Sequence, residues 1–104
     1  MKAVYVYEQG DPSVIQIGDL PVPEVIPKRV LIKVLAVSVN YVDTFIRSGL
    51  YQTQLPQPYI LGRDAVGEVV SVGDDVSQFA DGDLVWTNSM GYDGRQGVTS
   101  EYAL

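Results

Sequence analysis

Four side chains stand out as able to do chemistry: Asn40, Tyr41, Tyr51 and Arg63. Asn40 and Tyr41 are adjacent, Tyr51 follows a glycine-terminated segment, and Arg63 lies within Gly62-Arg63-Asp64. Together they offer an amide, two phenols and a guanidinium, which are hydrogen-bonding groups and not strong nucleophiles. What is missing bounds the chemistry more tightly. The chain has no cysteine and no histidine. That removes disulfides, thiolate chemistry, an imidazole base and any N/S zinc site built from this chain alone. Only oxygen ligands remain, of the kind that suit calcium or magnesium. Asp74-Asp75 and Asp81-Gly82-Asp83 lack the order and closing glutamate of a calcium loop and read as solvated turns.

Each candidate also has a plainer role. Asn40 is a good helix N-cap, and Asp43, three residues on, falls where a carboxylate complements the helix dipole. Arg63 can form a structural ion pair with Asp64 or balance Asp43. The chain has seven tyrosines, and in a strand-rich chain Tyr5, Tyr7 and Tyr102 are expected to serve packing. Gly62, Gly67, Gly73 and Gly82 suit turns, bulges or close backbone approach.

Positioning these groups requires a core. With 104 residues, the chain suits one small domain, and a domain of this size hides roughly two thirds of its unfolded surface. Hydrophobic residues make up 46% and charged residues 19%, a balance that argues against disorder. Seven basic against thirteen acidic residues leave a net charge of -6. That charge would repel backbone phosphates, so no nucleic-acid partner is expected. No apolar run is long enough for a membrane span. The start, Met1 to Tyr7, is interrupted by Glu8 too soon for a secretion signal, so a cytoplasmic setting is expected.

The apolar pattern predicts about six short strands and one helix. Strands are expected over Lys2–Glu8, Ser13–Gly18, Val30–Val39, Ala65–Val72, Leu84–Thr87 and Thr99–Leu104. Val30–Val39 is the most apolar, which predicts a central, largely buried strand. Val42, Phe45 and Ile46 form an i, i+3, i+4 stripe, and Gly49 is a natural stop, giving a helix over 41–48. Leu50–Ile60, with two prolines and three glutamines, reads as a loop, as does the glycine-rich Asn88–Gly97. The fold class is therefore mainly β, a small antiparallel barrel or sandwich. Alternating strand–helix crossovers and the G-x-G-x-x-G fingerprint are absent, so no nucleotide-binding Rossmann sheet is expected within the chain.

The order of several stretches resembles the N-terminal, GroES-like domain of the medium-chain dehydrogenase/reductase superfamily, in its zinc-independent quinone oxidoreductase branch. They are Lys2-Ala3-Val4, Ala36 to Asp43, Arg47-Ser48-Gly49, Pro58 to Asp64, Val72-Gly73-Asp74, Gly82 to Val85, and Glu101-Tyr102-Ala103. The resemblance spans essentially the whole chain. The zinc alcohol dehydrogenases of that superfamily carry Gly-His-Glu where this chain has Gly62-Arg63-Asp64, with Gly67, Gly73 and Val76 at matching intervals. The zinc-ligand cysteine falls at Asn40, and the structural-zinc lobe falls at Thr87–Gly97, which has no cysteine. A guanidinium does not deprotonate to bind zinc, and an amide is a poor replacement for a thiolate.

The resemblance implies that residues 1–104 are the substrate-side domain of a longer, zinc-independent, NAD(P)H-dependent oxidoreductase. It implies hydride transfer to a quinone or an α,β-unsaturated carbonyl, with NADPH or NADH held mainly by a domain outside this chain and no metal. Asn40, Tyr41 and Arg63 are the implied catalytic contacts, and Asn40 and Tyr51 the implied cofactor contacts. The isolated domain is expected to be inactive. Its open strand edges invite pairing between copies, making it a weak homo-oligomer. The alternative is a GroES-like barrel that acts as a binding or assembly module without enzymatic activity.

Overall fold

Strands form where β-branched residues are concentrated. The computed structural model describes residues 1–104. In chain order its elements are β1 (Lys2–Val6), β2 (Gln16–Asp19), β3 (Val30–Ser38), α1 (Tyr41–Ser48), β4 (Tyr59–Ile60), β5 (Asp64–Val72), β6 (Leu84–Thr87) and β7 (Tyr102–Ala103). One sheet has the order β2-β1-β4 and the other β6-β5-β3-β7. Every pairing is antiparallel. The sheets are joined where Ala3 faces Ser100. There the Val4 N–H donates to the Thr99 carbonyl at 2.9 Å, and the Glu101 N–H donates to Lys2 at 3.0 Å. The fold is thus mainly β with one short helix, and no helix is long and apolar enough to cross a membrane.

The core forms in three places. Ile32, Ala65, Val69, Val98 and Ala103 gather inside the four-stranded sheet. Ala3, Tyr5 and Ile60 cluster on the three-stranded sheet. Val6, Ile46 and Tyr59 pin α1 to that sheet. β5 shows the period of two clearly: Ala65, Gly67 and Val69 are buried, while Val66, Glu68 and Val70 face outward.

The helix has the bounds its sequence predicts. Asp43 lies in its first turn and Arg47 in its last. Gly49 closes it at φ 89°, a left-handed conformation that disfavours a Cβ. Arg47 Nη1 then donates to the Gly10 carbonyl at 2.8 Å, tying the helix end to the β1–β2 turn.

Three expectations need correction. β3 is central but not largely buried. Only Leu31 and Ile32 are buried, and Leu35 is 56% exposed. β7 pairs only with Ile32 and Lys33, so the half from Leu35 onward has β5 on one edge and no strand on the other. Apolar composition reports affinity for a covering layer, not its presence. The second strand is displaced, because Pro12–Val14 forms a single 3-10 turn capped by Asp11 and the strand is Gln16–Asp19. Finally, the Leu50–Ile60 loop ends in β4, where Tyr59 and Ile60 are both buried. β4 is completed by a side chain: Gln96 Oε1 accepts from the Ile60 N–H at 2.7 Å, and Gln96 Nε2 donates to the Pro58 carbonyl at 2.8 Å. A two-residue strand has no periodicity to detect.

Candidate functional site

The candidate residues lie where β3 hands over to α1 and β5 begins. Antiparallel register sets Ser38 opposite Asp64. Two residues beyond Ser38, Asn40 has extended backbone, with φ -116° and ψ 160°, and starts the helix. Its side-chain amide turns back across the strand pair. Asn40 Nδ2 donates to Asp64 Oδ2 at 2.7 Å and to Ser38 Oγ at 3.3 Å. Ser38 Oγ donates to the same Asp64 oxygen at 3.3 Å.

The capping box runs mainly in the reverse sense. Asp43 Oδ2 accepts from the Asn40 N–H at 2.9 Å, and the Asp43 N–H goes to the Asn40 backbone carbonyl at 3.0 Å. The Asn40 side chain faces the Asp43 N–H as the other half of the box, without closing a full cap hydrogen bond to it. Asp43 is half-buried, and that burial pushes its carboxyl above the ordinary carboxylate range. The Asn40 N–H opposes the shift, the like charge of Asp64 adds to it, and Arg63 opposes it.

Arg63 does not form the ion pair that its neighbour Asp64 suggests. Its Nε donates to the Asn88 carbonyl at 3.1 Å, and its guanidinium lies 4.5 Å from the centre of the Tyr92 ring. Arg95 takes the same ring at 4.5 Å and donates to the Ser89 carbonyl at 3.1 Å. Two guanidiniums therefore lie over the Tyr92 ring, cation–π contacts that tie Arg63 to the Asn88–Gln96 loop. Nearby, the buried Tyr59 hydroxyl donates to the Gly91 carbonyl at 2.8 Å. Burial, then the Asp43 charge, push the pKa of this hydroxyl up, while Arg63 opposes the rise, so it remains a phenol.

Tyr41 and Tyr51 are not drawn into this network. Tyr41 is 85% exposed at the start of α1, and Tyr51 is about half exposed beyond its end. A helix of this length separates its ends by about 10 Å. The structure brings Asn40, Asp43, Asp64 and Ser38 together, places Arg63 beside them through space, and leaves both tyrosines facing outward. Ser38 and Tyr92 were not singled out by residue type. Ser38 was legible only through the β3–β5 register, which is interrupted by irregularities between Leu31 and Ile32 and between Val34 and Ala36.

As a chemical unit, the cluster holds amide and carboxylate oxygens close to one delocalised cation. It can orient hydrogen bonds, and it has no thiolate or imidazole with which to attack or to bind zinc.

The family described as alcohol dehydrogenase GroES-like domain matches residues 26–104. Quinone oxidoreductase from Homo sapiens is 46% identical over 107 residues, covering 100% of this chain and 31% of the human protein. Among solved structures, quinone oxidoreductase from Coxiella burnetii superposes with a TM-score of 0.86 at 34% identity, covering 99% of this chain and 33% of that one. A mycobacterial protein complexed with NADPH gives a TM-score of 0.84 at 34% identity, covering 99% of this chain and 30% of that one. This chain spans about a third of the length of the relatives it matches.

Proposed function

Because the chain belongs to the alcohol dehydrogenase GroES-like domain family, we propose that it forms the substrate-side wall of a zinc-independent NAD(P)H oxidoreductase that reduces quinones or α,β-unsaturated carbonyls. The observation that carries this reading is the chemistry around Asn40 and Arg63. At the positions aligned with zinc ligands in the superfamily, the chain has an amide bonded to Asp64 at 2.7 Å and a guanidinium stacked on Tyr92. Neither arrangement offers a zinc-binding lone pair of the usual kind. Relatives that are quinone oxidoreductases, and a neighbour solved with NADPH, support the same reading.

When bound, the nicotinamide supplies the hydride. The protein's own part is orientation, exclusion of water and hydrogen bonding to the charge that develops on the acceptor oxygen. Conjugation in a quinone or enone spreads that charge, which lessens the need for a Lewis acid. Tyr41 and Tyr51 offer phenolic donors at the two ends of α1, and Arg63 offers positive charge beside Asp43. Asn40 is the polar contact at the nicotinamide or substrate end, and Tyr51 lies on the cofactor side. The remainder of a longer chain would close the cleft and hold most of the dinucleotide, so residues 1–104 alone would be inactive.

The test is oxidation of NADPH and NADH by the full-length protein, with a quinone and with a simple enone, before and after a strong chelator. The expected rate is unchanged by chelation, and a loss would reject the metal-free reading. Asn40→Ala is expected to lower turnover about tenfold or more while shifting the melting temperature little. A purely structural cap would show the reverse.

A further inference from the structure

We propose that Asp64 is a positioning residue that fixes Asn40 as a hydrogen-bond acceptor, so that this corner of the site takes an N–H or O–H donor of the ligand and not an oxyanion. The inference deepens the reading above and rests on Asn40 lining the hydride-transfer cleft. It begins with donor counting. An asparagine amide has two N–H donors and one carbonyl oxygen with two lone pairs. Asn40 directs Nδ2 to Asp64 Oδ2 at 2.7 Å and to Ser38 Oγ at 3.3 Å, so both hydrogens are committed. The Ser38 hydroxyl hydrogen is also turned to Asp64, at 3.3 Å. One Asn40 hydrogen and the Ser38 hydroxyl hydrogen therefore meet at one carboxylate oxygen, while the second Asn40 hydrogen goes to the Ser38 oxygen.

The orientation of the amide follows from chemistry. An ionised carboxylate only accepts, so an amide turned the other way would set oxygen against oxygen. The charge-assisted bond holds the nitrogen inward and leaves Oδ1, which faces the Asp43 N–H without a full hydrogen bond and has two lone pairs, as the atom with spare capacity. Asp43 adds to the bias, because its carboxylate takes the Asn40 backbone N–H at 2.9 Å. With two carboxylates beside it, the Asn40 oxygen favours a ligand's donor and repels a ligand's anion. Two ligand groups share that donor chemistry: the carboxamide N–H of a nicotinamide, and a hydroxyl of the ribose or of a reduced substrate.

Steady-state kinetics of the full-length protein, with NADPH and with its 3-acetylpyridine analogue, test the proposal. In the analogue a methyl group replaces the carboxamide nitrogen. Asp64→Leu, which removes the acceptor, is expected to raise KM for NADPH about tenfold with a smaller effect on kcat, the equivalent of about 1.4 kcal/mol. Asp64→Asn keeps an oxygen for the Asn40 amide and is expected to restore KM to within about twofold. In the NMR spectrum, exchange of the Asn40 side-chain amide protons with water is expected to be slow in the wild type and in Asp64→Asn, and faster in Asp64→Leu. If the Asp64→Leu penalty vanishes with the analogue, the donor is the carboxamide; if it persists, the donor is a hydroxyl. An unchanged KM in folded Asp64→Leu, where Asn40→Ala raises KM, overturns the positioning role. If Asn40→Ala also changes nothing, the functional reading itself has failed and takes this inference with it. Should Asp64→Leu not fold, freely exchanging Asn40 amide protons in the wild type would be enough to overturn the lock.

Discussion

Asn40 divides its two hydrogen-bonding parts between separate duties. Its backbone starts α1 with the help of Asp43, and its side chain serves Asp64. The sequence makes the first duty legible, because an asparagine followed three residues later by an aspartate reads as a helix start. The second depends on a strand pairing that no local spacing reveals. Arg63 illustrates the same limit. Adjacency to Asp64 suggests an ion pair, yet Arg63 lies just before β5 begins, and its guanidinium finds Tyr92 from a distant loop. Asp43 carries a prediction at this scale. Burial lifts its carboxyl above the unfolded value of 3.8, so folding favours the protonated form. Its contribution to stability is present below that value and is lost as pH rises through the folded one. Asp43→Asn cannot ionise and still offers an oxygen to the Asn40 N–H. The melting temperature of Asp43→Asn minus that of the wild type is therefore expected to increase between about pH 3 and pH 7. Thermal unfolding at a series of pH values checks the sign, and a flat or falling difference would refute the burial argument.

At the scale of elements, α1 was readable to its ends because cap, apolar stripe and terminal glycine all agree. β4 was not, since its two residues are held by contacts from far along the chain. Gly97 is the hinge of that arrangement. Its N–H donates to the Ile60 carbonyl at 2.8 Å, and a Cβ there would run into the backbone carbonyls of Ile60 and Leu61. Backbone cannot step aside as a flexible side chain can. Gly97→Ala is therefore expected to destabilise the domain by about 1–3 kcal/mol, read as a lower denaturant midpoint with an unchanged slope. The neighbouring Val98 is wholly buried within the four-stranded sheet's core. Its segment, set among glycines and polar residues, gives no apolar period to mark it as core.

On the scale of the whole molecule, the four-stranded sheet keeps an apolar outer surface. Leu84 and Trp86 on edge strand β6 are both 72% exposed, and Trp86 stands opposite Val66. Open edges and exposed apolar side chains favour pairing, while a net charge of -6 opposes it. The isolated domain is expected to self-associate weakly, and more strongly at about 0.5 M salt, where the repulsion is screened. Sedimentation over a concentration series measures this. Trp86→Lys is expected to return the domain to a monomer, and a wild type that stays monomeric at high concentration would remove the idea. Residue types and their local period were enough to determine the β-rich class, the helix with its two caps, and the exclusion of thiol and imidazole chemistry, because each depends on neighbours within a few positions. Only the tertiary structure decided that Asn40 serves Asp64, that Arg63 stacks on Tyr92, and that half of the most apolar strand stays uncovered. Those outcomes depend on strand register and on the presence or absence of a covering layer, and both are set by residues distant in the chain.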